Sequence, residues 1–282
     1  MSTNVLHKAP PAFLSRAVNI LLIGCGGNGS LMLTGLGRLN HALTALGHPG
    51  LDVTAYDDDT VAEANMGRQM FSPSDVGLHK GSVLVHRVNQ FFGLNWRAVP
   101  RRFASLQDAG SIQLNGKPTI VVVCVDSAAA RANIYGLLES MHFRGYILDL
   151  GNRASDGQVL LGQLPVRDDL PPLLAGDGME PPVRLPAPHQ ELPELVDTAA
   201  PEDDVPSCGL AEALERQELF INQAVATPAL ALLWEFFRYG QITWRGAFVN
   251  LRTGSMRPIA MPSHERRNAS DAAIAPSSTA QP

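Results

Sequence analysis

Hydrophobic positions follow two rhythms along the chain. Short, mainly apolar runs at residues 19–23, 51–57, 118–126 and 145–151 read as strands. Residues 118–126, PTIVVVCVD, form the strongest of these, and a continuous run suits a central strand covered on both faces. Between the runs the spacing turns helical. Met32, Leu36, Leu39, Leu43 and Leu46 lie 4, 3, 4 and 3 residues apart, which predicts one helix face. Residues 79–92 predict a second helix, with Val83, Leu84, Val88 and Phe91 on one side, and residues 128–142 a further one. Residues 96–103 read as a weak strand and 104–115 as helical.

Strands alternating with helices predict an α/β fold, a Rossmann-like, doubly wound, mostly parallel sheet. Residues 157–164 read as a further, antiparallel strand, and residues 244–261 as a hairpin turning at Thr253-Gly254, together an antiparallel C-terminal extension. The domain expectation is an N-terminal arm at 1–18, one domain over 19–262 and a disordered tail at 263–282. Inside the domain, residues 165–207 carry ten of the 21 prolines and ten acidic residues against two basic ones, without periodicity. That composition reads as a mobile crossover loop. From Cys208 to Tyr239 the chain is helical again, with a break or kink expected at Pro228.

The apolar stretch 219–237 approaches the length of a membrane span, but Asn222, Gln223, Pro228 and Glu235 interrupt it and point to a buried helix. A net charge of −5 gives no general attraction to nucleic acid or acidic membrane. Three cysteines, with no Cys-x-x-Cys pair, argue against a disulfide scaffold or a four-cysteine zinc site. With no signal-like segment at the start, the expected compartment is the cytoplasm.

Candidate chemistry begins at Gly24-Cys25-Gly26-Gly27-Asn28-Gly29-Ser30, between the first strand and the first long helix. Glycines there let backbone N–H groups and the helix dipole approach a phosphate. Asp57, Asp58 and Asp59 follow the second strand, and Asp57, ending the apolar segment, is the best ribose ligand. These features leave NAD and ATP both open. Arg68 and Lys80, 12 residues apart, favour polyphosphate chemistry, since hydride transfer has no need of two cations there. Asp126 ends the strongest strand, where it suits Mg²⁺ or the cap of the next helix. Cys208 opens a helix, a setting that lowers a thiol pKa; a small buried residue is the other reading. Cys25 and Cys124 read as structural.

In order, the elements Gly24-x-Gly26-Gly27-x-Gly29-Ser30, Asp57-x-Asp59-x-Val61, Asn65-x2-Arg68-Gln69, Asp75-x-Gly77-x2-Lys80 and Asp126 resemble the ThiF/MoeB superfamily of ubiquitin-activating-enzyme-like adenylyltransferases. The resemblance implies that Asp57 contacts the ATP ribose, Asn65, Arg68 and Lys80 the phosphates with Gln69 in support, and that Asp126 holds Mg²⁺. It further implies adenylation of the C-terminal carboxylate of a small ubiquitin-like protein, and a homodimer. Residues 206–237 resemble a bacterial subgroup of this family found in the PRTRC plasmid cassette, and in some relatives the acyl group passes to a cysteine placed like Cys208. The family's paired Cys-x-x-Cys motifs are absent, so no zinc is expected. The competing readings are an NAD-dependent oxidoreductase, for which His189 is the one candidate acid or base, and a non-catalytic nucleotide-binding partner protein.

Overall fold

The computed structural model describes residues 6–67, 69–105, 107–108, 116–165, 184–199 and 215–262. Its centre is an eight-stranded sheet. The strands are β2 (Val18–Ile23), β3 (Leu51–Tyr56), β4 (Arg97–Val99), β5 (Thr119–Val123), β6 (Tyr146–Asn152), β7 (Asp156–Gly162), β9 (Trp244–Asn250) and β10 (Ser255–Ala260). A separate two-stranded piece joins β1 (His7–Lys8) to β8 (Gln241–Ile242). The sheet order is β10-β9-β7-β6-β5-β2-β3-β4. The five strands from β6 to β4 are parallel, and β7, β9 and β10 continue the sheet antiparallel. This is the expected doubly wound fold with its antiparallel extension. The chain winds outward through β2, β3 and β4, then returns to β5 on the other side of β2, so the topological switch point lies between β2 and β5. Ligands bind beyond the carboxyl ends of strands at such a point.

Strand side chains alternate between two apolar layers. On one face Ile20, Leu22, Val53, Ile120, Val122 and Leu148 pack against α2 (Gly27–Ala45), α3 (Lys80–Phe92) and the long helix Ile221–Tyr239. On the other face Leu21, Ile23, Val121, Val123 and Ile147 meet Ile134, Tyr135 and Leu138 of α4 (Ala128–Ser140). All five residues of β5 are buried, as a central strand requires.

The helix faces follow the sequence pattern with two exceptions, the first being Leu46, which falls just past the end of α2 and is exposed. Met32, Leu36, Leu39 and Leu43 of α2 are buried, but on α3 the buried set is Leu84, Val85 and Val88, and Phe91 is 82% exposed. Phe91 falls past the edge of the stripe that meets the sheet, and Val85 takes its place inside. Within the stretch read as a proline-rich loop, residues 184–199 form a short helix, α5 (Pro188–Glu191), and a 3-10 turn at Pro193–Val196. Leu185, Ala187 and Leu195 bury there, which is what gives this part of an otherwise polar stretch its structure. The helix Ile221–Tyr239, labelled α6, runs on through Pro228 without the break that proline invites. No helix among the described residues is long and apolar enough to cross a membrane. Most of 104–115, together with 200–214 and 263–282, lies outside the described residues.

The stretch before residue 19 docks on the domain. Helix α1 (Pro11–Ser15) carries Phe13, fully buried, with its ring edge-to-face against Tyr146 and Phe236 at 5.1 and 5.6 Å. Phe13→Ala is expected to cost about 3–5 kcal/mol, measured as a lower urea midpoint with an unchanged slope. A loosely attached arm would leave the midpoint where it is.

Candidate functional site

The glycine turn sits at the switch point. Gly24 has φ +91°, and a Cβ on it would lie 2.9 Å from the Cys124 carbonyl oxygen. Only glycine lets the ends of β2 and β5 come so close. Gly29 is as constrained, since a Cβ there would collide with the Gly24 carbonyl. At Gly26, the N-cap of α2, the same test meets open space, so the turn presents bare backbone on that side. The N-terminus of α2 has no side-chain cap and no acidic residue in its first turn, which leaves its N–H groups and positive dipole end free for an anion.

Asp57 fastens this turn to β3. Its Oδ2 accepts the Cys25 N–H at 2.5 Å and its Oδ1 the Asp59 N–H at 2.9 Å. Burial pushes the Asp57 pKa up, against the two N–H bonds and nearby Lys80, which pull it down. Each carboxylate oxygen has a second lone pair, so ribose hydroxyls can still be accepted. The neighbouring aspartates are used otherwise. Asp58 pairs with Arg102 at 3.0 Å and Asp59 with Lys80 at 2.8 Å.

Lys80 is the first residue of α3, as expected, and only 7% exposed. A buried cation at a helix N-terminus opposes the helix dipole. The α3 N-terminus also lacks a side-chain cap and an acidic first turn. The adjacent Gly81 lies against the turn, its Cβ position 3.5 Å from Cys25 Sγ and 3.7 Å from Asp57 Cβ. Two helix N-termini without side-chain caps and one buried ammonium therefore lie at the glycine turn, with Asp59 as the partner carboxylate of Lys80 and its carbonyl accepting the Lys80 N–H at 3.0 Å. That arrangement fits a polyanion.

Asp126 follows β5 on the same edge of the sheet. The following helix takes its cap from Ser127, whose Oγ accepts the Ala130 N–H at 3.2 Å. Asp126 is thus released from the capping role and stands exposed, and among the described residues its Oδ1 accepts only the Ser127 N–H. Among the described residues no three His, Cys, Asp or Glu side chains gather to hold a metal. A single carboxylate fits Mg²⁺, which takes one or two protein carboxylates and completes its shell with phosphate and water.

Asn65 and Gln69 bracket the position of Arg68, which itself lies outside the described residues, as does Cys208. Asn65 Oδ1 accepts the Ala62 N–H at 2.9 Å and its carbonyl accepts the Gln69 N–H at 3.0 Å. Gln69 is buried. Cys25 and Cys124 are buried free thiols whose pKa values burial drives up, consistent with structural roles. Asn28 is engaged through its side chain with Asn152 and Asn222, two residues the sequence reading did not connect to the site.

Two ion pairs behind the site also escaped the sequence reading. Arg87 on α3 donates to the Met70 carbonyl, to Ser72 Oγ and to Asp75, the last at 2.5 Å, and so holds the segment after Arg68. On the far face Arg131 pairs with Asp149 at 3.1 Å and donates at 2.6 Å to the Val125 carbonyl, just before Asp126. Tyr135 donates to the other Asp149 oxygen at 2.9 Å. An aspartate inside the apolar run YILDLG was the available signal, because a buried carboxylate demands a partner. His189 packs on the Tyr135 ring at 4.2 Å and pairs with Glu139 at 3.1 Å.

Asp75 links this geometry to pH. Burial raises its pKa, but the Ser72 N–H and hydroxyl and the Arg87 guanidinium outweigh it, so the pKa ends below the usual value. A depressed carboxylate adds stability that is present above its unfolded pKa of about 4 and lost as pH falls through its lower folded value. Asp75→Asn is expected to lower the melting temperature at neutral pH and to flatten its decline below about pH 4. An acid limb of unchanged steepness would show that Asp75 carries none of this linkage.

No match to a curated protein was found at the sequence level. Among solved structures, the fold matches E. coli MccB crystallised with AMPCPP and MccA, with TM-score 0.55 and 14% identity, covering 88% of this chain and 65% of that one. It matches E. coli MccB with ATP at TM-score 0.53 and 13% identity, with the same coverage. PaaA matches at TM-score 0.50 and 14% identity, again covering 88% and 65%. The chain thus spans about 65% of the length of these structures, and at such identities the likeness is one of fold. The ThiF family model matches residues 13–160, more than half of the chain, including the glycine turn, Asp57, Lys80 and Asp126, and on that match the chain belongs to the ThiF family.

Proposed function

We propose that this protein is an ATP-dependent adenylyltransferase that activates the C-terminal carboxylate of a small ubiquitin-like protein. The observation that carries the reading is the placement of two helix N-termini without side-chain caps and the buried Lys80 at one glycine turn, with the exposed Asp126 opposite. Family membership and the ATP-bound state of the fold neighbour MccB support it.

In this reading ATP is a co-substrate. The α2 N–H groups, Lys80 and Arg68 receive the phosphates, and Asp57 receives the ribose. Asp126 would hold Mg²⁺, which when bound neutralises phosphate charge. The acyl carboxylate oxygen attacks the α-phosphorus as the bond to the bridging oxygen breaks, giving acyl-adenylate and pyrophosphate with no proton transferred. Catalysis is then positioning and charge neutralisation by preorganised groups. Transfer of the acyl group to Cys208 as a thioester, with release of AMP, would follow, and the working unit is a homodimer.

ATP–pyrophosphate exchange tests the reading. The wild type is expected to exchange when given a small protein encoded beside its gene. Arg68→Ala, Lys80→Met and Asp126→Ala should each lower kcat by about 100-fold or more. Binding of NAD in place of ATP, with no exchange from any neighbouring protein, would overturn it. The thioester step predicts a thiol-cleavable adduct that needs ATP and disappears in Cys208→Ala. An adduct that survives that substitution would place the transfer elsewhere.

A further inference from the structure

Three carboxamides from distant parts of the chain meet at the start of α2. Asn222 Nδ2 donates to Asn28 Oδ1 at 3.0 Å and to Asn152 Oδ1 at 2.9 Å, and Asn28 Nδ2 donates to the same Asn152 oxygen at 2.9 Å. Asn222 is 3% exposed, and its Oδ1 is buried with no hydrogen-bond partner among the described residues. Its amide lies flat on the glycine turn. A Cβ on Gly27 would stand 2.6 Å from Cγ, Nδ2 and Oδ1 alike.

Packing alone does not call for these amides. Elsewhere α2 and α6 meet through Leu33, Leu36, Val225, Ala229 and Leu232, an apolar seam. Buried amides, one of them half-satisfied, stabilise such a seam less than apolar side chains would. On α6 the buried amide, Asn222, stands where the helix reaches the glycine turn. Asn222 is the second residue of α6, and the chain just before it is tied to the sheet edge by the Glu218 N–H to the Ala154 carbonyl at 2.8 Å.

We propose that Asn222 is a positioning residue for the phosphate-binding turn. It contacts the Gly27 backbone and Asn28, and sets where the N-terminal N–H groups of α2 stand. The proposal rests on the adenylation reading above. It makes nucleotide affinity depend on a helix almost 200 residues downstream of the turn it serves.

A double-mutant cycle on the full-length protein tests it, with the KM for ATP, kcat in pyrophosphate exchange and the melting temperature as readouts. Asn222→Ala is expected to raise KM for ATP about tenfold, the equivalent of one lost hydrogen bond to a polar partner, with kcat within about twofold. Asn152→Ala, at a half-buried position, removes one Asn222 acceptor without opening the core and should raise KM in the same direction, about threefold. Gly27→Ala should raise KM by displacing the amide, yet add nothing in the Asn222→Ala background, where its methyl has room. Fully additive effects, or a lower melting temperature with KM unchanged, would overturn the assignment and leave the adenylation reading intact. A wild type that neither binds ATP nor exchanges would overturn that reading itself.

Discussion

The close approach of the β2 and β5 ends is the constraint on which the rest depends. Gly24, in the left-handed region, lets its backbone meet the Cys124 carbonyl, and the Cys124 N–H in turn bonds to the Ile23 carbonyl at 2.8 Å. The strands on either side of the switch point are thereby held flush. The glycine turn, Asp57 and Asp126 come to one edge as a consequence. A side chain at Gly24 or Gly29 would part those strands before it touched any ligand.

Around that contact the protein places charges whose main partners are backbone groups. Asp57 holds the turn, Arg87 with Asp75 holds the segment that follows Arg68, and Arg131 with Asp149 holds the carbonyl before Asp126. Such charged contacts contribute little net stability compared with apolar packing, but they fix backbone positions sharply. A charge-handling site needs that, because preorganised dipoles act only when they do not have to reorganise during the reaction. Lys80 is the exception. It is buried at a helix end that repels it, with Asp59 as its partner.

Local signals made much of this legible in the chain. The apolar runs and the 4-3-4-3 spacing announced the strands, α2 and the winding, because a strand or helix face is set by residues near one another in sequence. The glycines, Asp57 and Lys80 were legible for the same reason, each lying at an element boundary. Phe91 shows the limit, since periodicity gives a face but not its width. Residues 184–199 show another. Proline and acidic content reads as a loop, while Leu185, Ala187 and Leu195 find a surface that only the folded sheet provides.

Sequence alone determined the alternation of elements, the phosphate-type turn and the order of the charged residues that follows it. Tertiary structure decided what each polar group does. It separated Asp57, Asp58 and Asp59, three adjacent carboxylates, into a backbone clamp, a surface pair and the partner of Lys80. It moved the helix cap from Asp126 to Ser127, and it brought Asn28, Asn152 and Asn222 together. The physical reason is the range of the forces. Hydrophobic periodicity and turn chemistry act over a few residues and leave their mark on the sequence, whereas a hydrogen-bond or ion-pair partner is whichever group the fold delivers within about 3 Å.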